Sequence, residues 1–542
     1  MPPNNQTQVF LSIVVLLAAS FLLFCNLGSY ALWDDEATTA LFAQSVWRTG
    51  DTSAKIGQNI VAYNSGVELK DFRNRFIPPL SFYLAAPFVG QAPGSALAAR
   101  MPFAFCGLVT LGVVLFWLRR SQAPQITWIL MCLGFLTNVS FFLFFRQCRY
   151  FGPAVLFSVL VAYFYHFRDN RTKTTVILSL FSFLLLCSNY LCYAGVVGGL
   201  TADYFFWGNK EKPWNRKQII LFLTSQLVLG AVLVSFYNPL SIDVWGVPRK
   251  PWIIEKGFLF LWNWRDFNRC ELGVGAIIGL LAPGLALFHK DRRLWRCFQV
   301  FFIYVLVVSV MSPQPISLLS VAFVRYLVPL IPLGILITVL SVHLIRVHSK
   351  LIALSIIVLS FFTNILHGGS LAGIDDKTIF SQVIARGTIR STIFNYILEI
   401  LNPPPSAYWE TAQWIRQNIS SQDNLWVTPD YAAYPLMYHA PEPLYAWQIE
   451  KESTQFKDLP RIHFKGEEVP DYIVAFGIYL YQAEQIMQNY SSRGIDFMPV
   501  KQINLYWYDL TRPELFWHTF KHIRQFSKDN EGVYIFKRTS SD

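Results

Sequence analysis

Long apolar runs separated by short basic breaks fill the first two thirds of the chain, after which the pattern turns polar. Runs of about 20 apolar residues, the length that crosses roughly 30 Å of hydrocarbon, lie near 9–27, 96–118, 124–143, 150–167, 217–237, 273–289, 296–312, 324–344 and 350–367. The stretch from Thr174 to Trp207 is too long for one crossing, and Cys187-Ser188-Asn189-Tyr190 in its middle predicts two short helices meeting at a polar turn. About eleven crossings are expected from these runs. The short breaks carry dense basic residues (Arg119 and Arg120; Arg168, Arg171 and Lys173; Lys210, Lys212, Arg216 and Lys217; Lys290, Arg292 and Arg293), which places them in the cytoplasm. The N-terminus is then cytoplasmic, held by a retained signal-anchor helix. An odd number of crossings leaves the last 175 residues outside.

The first outer loop, 28–95, repeats the apolar pattern on a shorter scale. Ala37 to Trp47 has its larger apolar side chains at Leu41, Phe42, Val46 and Trp47 and meets Gly50 as a stop, which predicts a helix lying in the membrane interface. Pro78-Pro79-Leu80 to Val89 starts with a proline pair that opens a helix and is too short to span. After Pro403-Pro404-Pro405, a helix is expected at Tyr408–Asn418, strands at Asn424–Thr428 and Tyr472–Phe476, a helix at Ala483–Tyr490, and strands at Ile503–Tyr508 and Val533–Phe536. That alternation reads as a small α/β domain. The organisation expected is a transmembrane domain over 1–367 containing the 28–95 loop, a linker over 368–405, and an exterior (periplasmic) domain over 406–542.

Composition agrees: 53% of residues are hydrophobic and 15% charged, against about 25% charged in soluble domains. The chain is polytopic, α-helical and integral to the cell (cytoplasmic) membrane. A net charge of +11 in such a chain belongs to cytoplasmic loops and anionic lipid, not nucleic acid. The eight cysteines lie in or beside apolar segments without metal-ligand spacing. No cofactor is required, a divalent metal has no motif to support it, and a monomer is expected.

Candidate chemistry concentrates at the outer ends of helices. Asp34, Asp35 and Glu36 follow Trp33 directly after the first crossing, and charge at a bilayer edge marks function more often than packing. Asp34 as an N-cap, with Asp35 and Glu36 complementing the helix dipole, is the plain structural account. Capping needs one or two carboxylates, and a third is available to accept a proton from a nucleophile. Phe145-Arg146-Gln147-Cys148-Arg149-Tyr150 places two arginines three apart, suited to a phosphate, or to snorkelling or a salt bridge with the acids. Arg325 opens the apolar segment Val324-Arg325-Tyr326-Leu327-Val328-Pro329, either as an interfacial anchor or as a third cation on the same anion. The Trp- and Arg-rich loop 238–272 suits either sugar stacking or, the preferred reading, a belt at the membrane interface.

These pieces together resemble the GT-C superfamily of polytopic glycosyltransferases, nearest to the bacterial aminoarabinose (lipid A) transferases and the protein O-mannosyltransferases. The resemblance is carried by Asp-Glu after the first crossing, Pro78-Pro79-Leu80, Ala99-Arg100-Met101-Pro102, Arg146-Gln147-Cys148-Arg149-Tyr150 and Arg325-Tyr326-Leu327-Val328-Pro329, and covers roughly 9–345. It implies a sugar donor linked to a polyprenyl phosphate, with Asp35 as catalytic base beside Asp34 and Glu36, and inversion at the sugar. Arg146, Arg149 and Arg325 would hold the donor phosphate, and Trp33, Tyr150, Tyr326, Pro78 and Pro79 would line the substrate. The aminoarabinose transferases carry Lys just before the proline pair. Here Ile77 stands there, with Arg73 and Arg75 upstream either replacing that phosphate contact or remaining solvated loop charges. A transporter or lipid flippase is the alternative reading. An internal repeat is missing and the charged motifs gather at one face, both of which argue against it.

Overall fold

The computed structural model describes residues 5–66, 69–237, 253–267, 281–312, 325–363, 365, 391–403, 405–450, 456–505, 507 and 532–539. The apolar runs fold as helices: α1 (Asn5–Phe24), α2 (Asp34–Thr49), α3 (Leu80–Gln91), α4 (Ala96–Arg120), α5 (Gln125–Thr137), α6 (Val139–Phe145), α7 (Phe151–His166), α8 (Thr172–Ser188), α9 (Tyr190–Asp203), α10 (Asn209–Glu211), α11 (Arg216–Phe236), α12 (Ile253–Phe267), α13 (Ala282–Phe288), α14 (Arg292–Met311), α15 (Ile331–His348) and α16 (Lys350–Phe361). Among the described residues five helices are long and apolar enough to cross a membrane, and six if α5 and α6, bent by 59° at Asn138, form one span. Helices α7, α8 and α16 are apolar but shorter than 18 residues, so length alone does not reach the eleven crossings expected. Much of the 273–289 run lies outside the described residues.

The polar turn expected inside 174–207 is present. Asn189 adopts an extended conformation between α8 and α9, and its side chain accepts the Cys192 N–H at 3.0 Å, ending one helix and capping the next. Helix α9 lies close along α14 because Gly195, Gly198 and Gly199 leave no side chain between them; a Cβ at Gly195 would come within 2.7 Å of the Tyr304 ring. Of the 238–272 loop, the described part forms α12, which packs against α14 through Trp264 on Phe301.

The first outer loop departs from expectation. Helix α2 ends where Gly50 was read as a stop, with Gly50 left-handed at φ 76° and its N–H bonded to Val46 O. Yet every residue from Asp34 to Val46 is buried, between α3 and the C-terminal domain, so α2 is an internal strut and not a surface helix. What covers it comes from some 400 residues later, beyond the reach of any local pattern. Two small hairpins, β1–β2 (Lys55–Ile56, Asn59–Ile60) and β3–β4 (Leu69–Lys70, Arg73–Asn74), fill the loop before Pro79 caps α3.

Helix α17 (Thr392–Leu401) falls inside the expected linker and returns to the bundle, where Tyr396 Oη donates to Leu22 O at 3.0 Å. Beyond it lie α18 (Ala407–Asn418), β5 (Asn424–Thr428), α19 (Ala433–His439), β6 (Leu444–Tyr445), β7 (Tyr472–Phe476), α20 (Leu480–Ser491), β8 (Phe497–Ile503) and β9 (Val533–Arg538). They build a five-stranded sheet in the order β6-β5-β7-β9-β8, parallel across β6, β5 and β7 and antiparallel beyond. A C-terminal α/β domain is therefore present, save that the strand expected at Ile503–Tyr508 runs over Phe497–Ile503; Tyr506 and Tyr508 lie outside the described residues.

Candidate active site

The three carboxylates occupy the first turn of α2, one residue later than the capping account had them. Trp33 is the N-cap, and since an indole has no acceptor, Glu36 reaches back to the Trp33 N–H at 3.5 Å. Asp34, Asp35 and Glu36 are 8%, 8% and 0% exposed, so each charge needs partners inside the protein.

Glu36 has them in full. Arg100 binds it with both faces of the fork, Nε to Oε1 at 2.8 Å and Nη2 to Oε2 at 2.6 Å, and the Cys148 N–H adds 2.7 Å to Oε1. The same guanidinium donates to Leu27, Tyr30 and Ala31 carbonyls at 3.0–3.1 Å. Glu36 and Arg100 thus pin α2, α4 and the turn after α1 together.

Asp35 is held differently. Its Oδ2 receives both Arg149 Nη2 at 2.9 Å and Arg325 Nη1 at 3.0 Å, joining the loop before α7 to the segment before α15. Arg149 also donates to Asp35 O at 3.2 Å and to Thr39 Oγ1 at 3.4 Å. Tyr150 and Tyr326 stack beside the two cations, 6.2 Å apart and within 12° of parallel, and Tyr304 Oη fixes Tyr326 by donating to its carbonyl at 2.7 Å. Two guanidinium groups and the positive end of α2 converge on one oxygen, an arrangement that also suits a phosphate.

Arg146 points the other way. Its guanidinium donates to the carbonyls of Leu22, Leu23, Cys25 and Asn26 at 2.8–3.2 Å, closing the C-terminal end of α1 from outside that helix. Trp33 is fixed by its indole N–H donating to Gln147 Oε1.

No family model and no curated protein matches the sequence. Among solved structures, ArnT from Cupriavidus metallidurans in the apo state superposes with TM-score 0.54 at 14% identity over 88% of this chain and 94% of that one. ArnT bound to undecaprenyl phosphate gives 0.55 at 14% identity over 89% and 95%. The apo oligosaccharyltransferase of Archaeoglobus fulgidus matches at 0.45 and 10% identity over 87% and 70%. The chain has the GT-C fold.

Within this GT-C fold Arg73 and Arg75 are drawn to Asp51, Arg75 through two 2.7 Å bonds and Arg73 at 3.3 Å, and they hold Asp51 below the usual carboxylate range. Pro78 precedes Pro79 at the start of α3, and Ile77 is partly buried against the core that α2 and α3 share with the C-terminal domain. Three residues that matter here were given no role in the sequence reading. Arg100 was quoted only as part of a motif, although an arginine opening an apolar helix is itself a sign of a buried carboxylate partner. Gln147 and His439 carry no such sign, since their partners are remote in the chain: Trp33 for Gln147, and Leu32 N–H and Gly94 O for His439.

Proposed function

We propose that this chain is a membrane glycosyltransferase that moves a sugar from a polyprenyl-phosphate donor to an acceptor at the outer face of the cell membrane, with inversion. The observation that carries the reading is the single Asp35 oxygen gripped by Arg149 and Arg325 at the start of a buried helix. The shared fold of ArnT, solved with undecaprenyl phosphate, adds support for the donor class.

The donor phosphate takes the place of Asp35 between Arg149 and Arg325, which bind it through paired N–H bonds. Drawn off the carboxylate, the arginines leave Oδ2 of Asp35 with lone pairs for the acceptor's hydroxyl or amine proton. The nucleophile forms its bond to the anomeric carbon as the carbon–oxygen bond to phosphate breaks. The electron pair leaves with the polyprenyl phosphate, whose added charge the two guanidinium groups stabilise. One displacement gives inversion. Arg146 and Glu36 act through structure, keeping α1, α2 and α4 in register around the reacting groups.

The test is transfer of radiolabelled sugar from a panel of polyprenyl-phosphate sugars in membranes containing the wild type or Asp35→Asn. Label leaves the lipid with the wild type, and Asp35→Asn slows it by at least about 100-fold while preserving the fold. If neither protein consumes a donor the transferase reading fails and transport becomes the next assay. Equal rates would remove Asp35 from the chemistry.

A further inference from the structure

The exterior domain holds a cavity of about 810 Å³ that the transfer chemistry above does not use. It opens beyond the carboxyl ends of the three parallel strands: Pro429 to Tyr431 follow β5, Trp447 and Gln448 follow β6, and Tyr479 and Gln482 follow β7. With β5 central, the chain leaves it toward β6 and returns across it to β7, and ligands of open α/β sheets bind in the crevice at such a point. Three further observations point to an occupant. Gln448 is 4% exposed and lines the cavity, its Nε2 bonded to Ala446 O at 3.3 Å, yet its Oε1 has no hydrogen-bond partner among the described residues. Trp447 beside it is held left-handed at φ 61°, by its N–H to Ile462 O and its indole N–H to Glu468 O, and such strain in a bulky residue collects at ligand clamps. Trp426 lies 5.0 Å from Trp447, giving an aromatic wall next to neutral amides.

The lining selects the ligand. Of the lining charges, Lys465 and Asp430 pair at 2.7 Å, with Glu450 outside the lining at 3.1 Å from Lys465, so the interior presents mainly ring faces and amides, with Asn489 and Arg493 exposed at the rim. Ring faces beside amide groups fit the apolar faces and hydroxyls of sugar rings, and the volume lies within the range of small-molecule sites. We propose that this cavity is a saccharide-binding site, separate from the Asp35 constellation and taking a di- to tetrasaccharide. On the transfer reading above, its occupant is the glycan of the acceptor.

Saturation-transfer NMR on the full chain in detergent tests it, with a panel of di- to tetrasaccharides of glucose, N-acetylglucosamine and galacturonate, and with AMP as the non-sugar control. At least one saccharide binds saturably. The rim variant Asn489→Ala/Arg493→Ala and the near-isosteric Gln448→Leu each weaken it about tenfold, with thermal unfolding of the rim variant unchanged. Asp35→Asn binds as the wild type does, so this result stands or falls apart from the transferase assay. The proposal is overturned if no saccharide gives a signal at about 10 mM, if the rim variant binds like the wild type, or if AMP binds more tightly than every sugar.

Discussion

Adjacent carboxylates on one helical turn do different work because of what faces them. Glu36 meets a guanidinium fork and a backbone N–H, and Glu36→Gln or Arg100→Met would strand the other buried charge. A loss of about 3–5 kcal/mol is expected, seen as a lower thermal midpoint in detergent. Asp35 shares one oxygen between two arginines from separate segments, so Arg149→Lys and Arg325→Lys, which keep charge but lose the fork, should raise the donor KM by roughly tenfold or more with little change in the unfolding midpoint. Arg146→Lys should do the reverse, since its bonds all go to carbonyls at the end of α1. The sequence, with the resemblance, suggested one site for three acids and three arginines; it had no means of dividing them. Arg146 and Arg149 stand on one short segment, and only the packed structure turns one toward α1 and the other toward α2.

Elements were legible where their signals are local. Asn189 between two apolar runs, Gly50 after α2 and the proline pair before α3 each act within a few residues, and each element ends where those residues put it. Helix α19 has a weak local signal, with Pro435 among its seven residues, harmless there only because the first turn needs no N–H from it. The burial of α2 was illegible for another reason, its cover being non-local. The α9–α14 seam couples packing to the candidate site: Gly195→Ala drives a Cβ into the Tyr304 ring, whose hydroxyl holds Tyr326. We expect about 1–3 kcal/mol lost in unfolding and a matching fall in donor turnover, greater than for Gly112→Ala, where a Cβ meets open space.

At the scale of the whole molecule the contacts that fasten the C-terminal domain to the membrane part include three hydrogen bonds between neutral groups. His439 accepts the Leu32 N–H at Nε2 (3.0 Å) and donates from Nδ1 to Gly94 O (2.8 Å), while Tyr438 Oη donates to Ser95 O at 3.0 Å. Burial pushes the His439 imidazole down to about 3. The unfolded chain therefore takes up this proton first as pH falls. The contribution of His439 to stability is full above about pH 6.5 and drops by roughly 1.4 kcal/mol per unit between there and about pH 3. Thermal unfolding at pH 7, 5.5 and 4.5 should show that slope, and His439→Gln should flatten it relative to the wild type. The spacing of the ion pairs also orders the making of the protein. Glu36 meets its arginine 64 residues on, but Asp35 waits for Arg149 at 114 and Arg325 at 290. At about 5–20 residues per second, the scaffold pair is complete tens of seconds before the last cation of the candidate site leaves the ribosome. On the proposed function, a nascent chain thus completes its framework pair well before the two cations around Asp35 are both in place.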